Sequence, residues 1–432
     1  MLISAEAQQD VELEIPQGFL KGVKTTTVME NKQYYSFKGI PYAKPNVGLN
    51  KFQMPEAAEP WEGTYDATYH RSPCPFFCML EQDIVGEEDC LFLNVYTPVL
   101  DKAACKAVMV WFHGGMFNHG LGDDIFFGPD FLIEQGVVLV TLNYRLGAIG
   151  FLNTGDKSAP GNAGLKDQVM ALKWVKDNIH YFGGCPNRVT IFGEDAGGSS
   201  VQFHMMSPMS DGLFNKAILQ SGSAVNTWAM AYDARDVAFK LGEKLDIETS
   251  DPVELVAKLA EFSPKELIAA SNDLAFLKNA MNGRTEAFIP SVEADIGQEI
   301  FLPADPWTLL KSGKIADVPV MAGFTADESS FYVQSAAHGD ELTYEFYSDM
   351  LKNMPQPGSP AEKMVRIYTT LVTNFAKDGN PTSNMNEYVN VNWEPKGTED
   401  NYMNINQELK MEKGLLSERA DFWKNLYKNV LD

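Results

Sequence analysis

Val189-Thr-Ile-Phe-Gly-Glu-Asp195-Ala-Gly-Gly198 reads as an apolar, β-branched strand that runs into a sharp turn and then into the start of a helix. It has the form Gly-x-Ser-x-Gly with Asp195 in the serine slot, flanked by Gly193, Glu194, Ala196 and Gly197. Glycines at these positions let the chain turn tightly and lift the central side chain above a sheet. A helix beginning near Ala196 aims its free N–H groups and the positive end of its dipole at that side chain. Five residues alone also fit an ordinary strand-to-helix turn whose Asp caps the helix, so the surroundings must decide.

Moving outward, Leu91–Tyr96, Val108–Phe112 and Val137–Asn143 are short runs rich in Val, Leu and aromatics, as are Ala217–Leu219 and Val318–Ala322. They read as strands. Gly164–Ile179 reads as a helix, with Leu165, Val169, Leu172, Val175 and Ile179 at 3–4 spacing. Residues 1–70 look like short antiparallel strands with Gly and Pro turns, and Leu415–Val430 like an amphipathic closing helix. Strands alternating with helices predict an α/β fold with a mostly parallel central sheet covered on both faces. No repeat or low-complexity linker interrupts residues 1–432, which are expected to form one domain.

The chain has 432 residues, 45% of them hydrophobic, enough to bury a large core. A net charge of −23 argues against nucleic acid and anionic membrane surfaces as partners, since both need clustered Lys and Arg. No apolar run is long enough to span a membrane. Met1–Gly18 lacks the basic start and apolar stretch of a signal peptide, so the chain as written is expected to be cytoplasmic, or secreted if an upstream exon is missing. The five cysteines, Cys74, Cys78, Cys90, Cys105 and Cys185, form no pair with zinc spacing. No metal or cofactor is expected.

The landmarks around the elbow carry a resemblance. Glu88-Asp-Cys-Leu-Phe-Leu-Asn-Val-Tyr-Thr-Pro98, Trp111-Phe-His-Gly-Gly115, Asn143-Tyr-Arg-Leu-Gly147, Gly161-Asn-Ala-Gly-Leu-Lys-Asp-Gln168 and Phe182-Gly-Gly-Cys-Pro-Asn-Arg-Val-Thr190 stand in order along the chain. With Phe37-Lys-Gly-Ile-Pro-Tyr-Ala43 and Pro60-Trp-Glu-Gly63, they resemble the type-B carboxylesterases, the cholinesterase-like branch of the α/β-hydrolases, in an insect and especially moth-like form. The resemblance implies an α/β-hydrolase fold and roles for particular positions. Asp195 stands at the nucleophile, Glu328 at the triad acid in Thr325-Ala-Asp-Glu-Ser-Ser330, and His338 at the triad base in Ala337-His-Gly-Asp-Glu-Leu342. The backbone N–H groups of Gly115, Met116 and Ala196 would form the oxyanion hole. The cysteines read either as small buried hydrophobes or, as the resemblance implies, with Cys74 and Cys90 closing the family's first disulfide loop; Cys105 and Cys185 are not expected to pair.

Three departures bear on function. Asp195 cannot do the work of a serine hydroxyl, which gives its proton to His and attacks a carbonyl. Carboxylate attack on an ester leads toward an anhydride, and the adduct expels the weaker base. The leaving-group gap of about 12 pK units, or about 16 kcal/mol at about 1.36 per unit, returns it to substrate. Asp195 is also expected to set its own anion against the oxyanion donors, with Glu194 and Glu328 adding like charge that raises one carboxyl. Second, Glu328 and His338 are only ten positions apart. The family has a far longer stretch there, so a strand and a wall of the active-site gorge are expected to be deleted near 331–337, and His338 is expected to stand farther from Asp195 than a hydrogen bond. Third, Met116 replaces a smaller residue and crowds the carbonyl position.

The resulting expectation is a protein derived from a carboxylic ester hydrolase, with esterase activity lost or very weak, that still takes a small hydrophobic ester or similar ligand. The alternatives are an Asp-nucleophile hydrolase on the same scaffold and a non-catalytic binding or adhesion module. Substrate identity and oligomeric state are not legible in the residues.

Overall fold

The computed structural model describes residues 9–273, 288–328 and 338–426. Their main sheet is built from β1 (Gln9–Ile15), β2 (Gly18–Thr26), β3 (Gln33–Pro41) and β4 (Thr64–Asp66). After a small hairpin of β5 (Phe76–Cys78) and β6 (Asp83–Val85), the sheet continues with β7 (Phe92–Thr97), β8 (Lys106–Phe112), β9 (Val138–Leu142), β10 (Gly184–Glu194), β11 (Lys216–Gln220) and β12 (Val320–Gly323). The strand order is β1-β2-β3-β7-β9-β8-β10-β11-β12, with β4 beside β2.

The sheet is mixed rather than mostly parallel. The pairs β1–β2, β2–β3, β3–β7 and β7–β9 are antiparallel, and β9–β8, β8–β10, β10–β11 and β11–β12 are parallel. The composition shows why. β8, β9 and β11, and β10 from Val189 onward, are buried along almost their whole length, as parallel strands covered on both faces must be. β1 alternates exposed and half-buried positions, the pattern of an edge with one wet face.

The helix read from Gly164–Ile179 spans Ala163–Asn178, with Leu165, Val169, Leu172 and Val175 buried. One family-like landmark does structural work here. Arg145, in the loop after β9, donates to both carboxylate oxygens of Asp167 on this helix, at 2.7 Å through Nε and 2.5 Å through Nη2. Both side chains are buried, so each would be costly without the other.

By its contacts the chain divides into two compact units, residues 1–353 and 354–432. The second holds the helix Pro360–Asp378, started by the Ser359 hydroxyl accepting the Glu362 N–H at 3.2 Å. It also holds a hairpin of β13 (Asn401–Asn404) and β14 (Lys410–Lys413), and a small core of Ile367, Leu371, Val389, Met403 and Leu409. The closing helix spans Ser417–Leu426 within the described residues; the rest of the expected Leu415–Val430 lies outside them, as does the shortened connection at 331–337. Among the described residues no helix is long and apolar enough to cross a membrane.

Candidate active site

β10 ends at Glu194, and the helix Ala196–Met206 begins one residue past Asp195. Asp195 itself has φ 54° and ψ −119°, a strained turn for a residue with a side chain. Glycine is required on both sides. A Cβ on Gly197 would lie 1.9 Å from the carbonyl oxygen of Phe112, and one on Gly193 would lie 2.5 Å from the carbonyl carbon of Gly197. The strand and helix can approach this closely only without side chains. The elbow thus pushes Asp195 out of the sheet toward the loop after β8.

That loop supplies the donors. Gly115 and Met116 both have positive φ, which turns their N–H groups inward. Each donates to Oδ2 of Asp195 at 2.9 Å. One oxygen of Asp195 therefore occupies the position where an ester's carbonyl oxygen would develop charge. The Met116 side chain is half-buried beside it.

Across the site, Nδ1 of His338 lies 2.6 Å from Oε2 of Glu328. Its Nε2 lies 2.9 Å from Oε1 of Glu194 and 3.6 Å from Oδ1 of Asp195. The 3.6 Å separation is longer than a hydrogen bond. Thr325 N–H and the Ser221 hydroxyl hold Oε1 of Glu328.

The charges follow from this geometry. Asp195, Glu194 and Glu328 together push the His338 pKa up to about 12, against burial, so the ring is an imidazolium at neutral pH. Burial works against the Asp195 anion, but His338 and the N–H groups of Met116, Ala196 and Gly115 outweigh it and hold its pKa low. Glu328 is held low in the same way, by His338, Ser221 and Thr325 against burial. Burial leaves Glu194 raised despite its contact with His338.

Sequence reasoning missed two further carboxyls. Burial, with the charges of Glu194 and Glu328, pushes Glu341 up to about 7. Glu345 is fully buried and pushed up to about 8, with Gln220 Nε2 donating to it at 2.8 Å. The carbonyl of the same Gln220 accepts the Asp195 N–H at 3.0 Å. The available signal was spacing: Glu341 follows His338 by three, and Glu345 follows Glu341 by four, one turn of the short helix Leu342–Glu345.

Cys74 and Cys90 are joined, with Cα atoms 4.8 Å apart. The expectation for the other pair is corrected: Cys105 and Cys185 are also joined, Cα to Cα 4.2 Å. They lie 80 residues apart in sequence, but Cys105 precedes β8 and Cys185 opens β10, and those strands are neighbours with Lys106 opposite Gly184. Adjacency across a parallel sheet leaves no mark in cysteine spacing. Cys78 is free.

Comparison with known proteins points one way. The profile of the carboxylesterase family matches residues 9–336 and 332–423. Juvenile hormone esterase of Tribolium castaneum is 41% identical over 309 residues, 69% of this chain and 52% of that protein. Esterase FE4 of Myzus persicae is 40% identical over 339 residues, 76% of this chain and 58% of that protein. The chain thus spans little more than half the length of these curated relatives. The crystal structure of juvenile hormone esterase from Manduca sexta, with OTFP covalently attached, superposes with a TM-score of 0.84 at 25% identity, covering 97% of this chain and all of that one. With an α/β-hydrolase sheet, an elbow at Asp195 and a profile match along most of its length, this chain belongs to the carboxylesterase family.

Proposed function

We propose that this chain is a carboxylesterase relative in which hydrolysis of carboxylic esters is lost or very weak. The observation that carries the reading is the pair of 2.9 Å hydrogen bonds from Gly115 and Met116 to Asp195. The donors that should stabilise a developing oxyanion already hold a full negative charge. A substrate carbonyl must displace that anion or stand beside it, and both oppose the transition state. His338, held as an imidazolium, is not the neutral base that ester attack requires.

A second part of the proposal concerns the connection between Glu328 and His338. The family profile stops at 336 and starts again at 332, as expected if a segment between triad acid and base is missing. β12 ends the sheet among the described residues, with Val320 45% and Phe324 48% exposed, a bare edge where a covered strand would be apolar and buried. The ligand class suggested by the relatives is a small hydrophobic ester, bound rather than turned over. The two cystines favour an oxidising compartment over the cytoplasm.

The test is hydrolysis of a short-chain aryl ester by three proteins: the unmodified chain, Asp195→Ser, and Asp195→Ser with the family's missing segment inserted. The unmodified chain is expected to give background rates. The single substitution is expected to stay at least about 100-fold below the restored protein, since displacement of a catalytic group by about 1 Å can cost that much. Robust turnover by the unmodified chain overturns the reading.

A further inference from the structure

Asp195 is held in a backbone conformation that suits a reaction within the chain itself. Its ψ is −119°, and the substituents on Cα are spaced by a third of a turn. At this angle the Cα–Cβ bond eclipses the bond from the Asp195 carbonyl carbon to the Ala196 nitrogen. Such an arrangement costs energy and persists only because the surroundings impose it. The Ala196 nitrogen and the side-chain carboxyl of Asp195 therefore lie on the same side of the chain. They are the two ends of a five-membered ring that lacks only the bond from nitrogen to Cγ.

We propose that Asp195 and Ala196 form a self-modification site, in which the Ala196 nitrogen closes on Cγ of Asp195 with loss of water to give a cyclic imide. The carboxyl is the electrophile and the backbone the nucleophile, and no substrate takes part. The proposal goes beyond the reading above and shares with it only the placement of Asp195 against the Gly115 and Met116 donors.

The groups around the elbow favour closure. Ala196 stands at the first position of its helix, where no helical carbonyl is available to its N–H, and that N–H is one of the donors to the Asp195 carboxyl. The Asp195 carbonyl, on the other side of the same peptide, accepts the Ser199 N–H at 2.9 Å and the Ser199 hydroxyl at 3.2 Å. Both bonds draw electron density from the peptide and make its proton easier to lose. The N–H groups of Gly115 and Met116, 2.9 Å from Oδ2, stabilise the charge that builds on that oxygen once nitrogen bonds to Cγ. Nε2 of His338, protonated and 3.6 Å from Oδ1, is the acid that a carboxylate oxygen needs before it can leave.

The step balances on these residues. The N–Cγ bond forms and Oδ2 carries the negative charge. Oδ1 takes the Nε2 proton of His338 and the amide proton of Ala196, the Cγ–Oδ1 bond breaks with its electron pair, and Oδ1 leaves as water. The products are a neutral imide and a neutral imidazole, which recovers its proton from solvent. Reopening by water at Cγ retraces this path, with charge again on Oδ2. Reopening at the main-chain carbonyl would instead carry Cβ into the backbone. That carbonyl is packed against Gly222, where a Cβ would lie 1.9 Å from its oxygen, so the folded elbow cannot take the longer chain. The imide therefore returns to aspartate rather than to the isoaspartyl form.

The experiment incubates the full folded chain in heavy-oxygen water with no ligand added, with and without hydroxylamine, and reads the peptide carrying Asp195 by fragment mass spectrometry. Each cycle of closure and reopening exchanges a carboxyl oxygen, so heavy oxygen is expected at Asp195 and not at Glu194 or Glu328. Hydroxylamine opens an imide but does not react with a carboxylate, and is expected to leave a hydroxamate at Asp195. The chain unfolded in denaturant is expected to show both changes at least about 10-fold more slowly, because it loses the preset approach of nitrogen to Cγ. Asp195→Glu, which keeps the charge but spoils the ring, is expected to show neither, with folding checked by its thermal transition. Label without hydroxamate means that water attacks Cγ directly and overturns the proposal. Absence of label overturns it too, as do rates no higher than in the unfolded chain. None of these readouts involves an ester, so their failure leaves the aryl-ester result standing, and the aryl-ester assay can fail without touching them.

Discussion

The two sides of the site are held by different means. On the elbow side, the positions of Gly115, Met116 and Asp195 are fixed by backbone that has nowhere else to go: glycines pressed against carbonyls, positive φ angles, and strands β8 and β10 in register. On the histidine side, His338 is held by charge, among Glu328, Glu194 and Asp195. The sheet needs the first arrangement whether or not any chemistry follows, so it does not depend on which side chain stands at 195. The second depends mainly on charged side chains, with the Thr325 N–H steadying Glu328.

The sharpest way to break the elbow side is Gly197→Ala. Its methyl group would sit 1.9 Å from the Phe112 carbonyl, so strand and helix must separate. A loss on the order of 4 kcal/mol is expected, read from denaturant unfolding. A loss under about 1 kcal/mol would mean the elbow is softer than its geometry implies.

His338→Gln probes the other side. It removes the cation from three carboxylates, two of which have side chains only 8% exposed. Breaking a buried pair in this way costs about 3–5 kcal/mol. Adding Glu194→Gln should recover part of it, because one of the stranded anions is gone.

Titration separates the two sides with less force. His338 is raised to about 12, so its contribution is complete below the unfolded value near 6.5 and fades as pH rises toward 12. Glu341 and Glu345 are raised to about 7 and 8, and their contribution likewise falls as pH rises above the ordinary Glu value of about 4.3. Asp195 is lowered, so its contribution is lost as pH falls below about 3.9. This cluster therefore favours the folded state most in the mildly acidic range. Each group contributes a slope of at most about 1.4 kcal/mol per pH unit. Glu345→Gln should flatten the decline between about pH 4 and 8, seen as a smaller drop in thermal midpoint.

Met116→Gly is expected to do least. Glycine relieves the positive φ of 55° but adds freedom to the unfolded chain, and the two nearly cancel, leaving a change within about 1 kcal/mol.

Much of this was legible from the residues. The strands from β7 to β11 announce themselves as apolar runs, and the elbow as a glycine-flanked turn, because both obey local rules. Asp195 against the Gly115 and Met116 donors could be anticipated, since backbone geometry carries over with the motif. The antiparallel strands of residues 1–70 were legible too, but the antiparallel pairing of β7 with β3 and β9 was harder, because strand direction depends on where long connections return. Glu345 was missed because a Glu in a short helical segment ordinarily faces water, and only the packed structure shows this one enclosed. The Cys105–Cys185 pair was missed because sequence distance hides neighbours in a parallel sheet.

That last pair has a mechanical meaning. Cys105 and Cys185 sit where β8 and β10 begin, at the opposite end of those strands from Gly115 and Asp195. If β8 slid along β10 by a single residue, the donors would travel about 3.3 Å, more than the 2.9 Å that separates them from Oδ2 of Asp195. The cystine is a pin driven through the far end of two rails, and it resists shear between the strand that carries the donors and the strand that carries the acid.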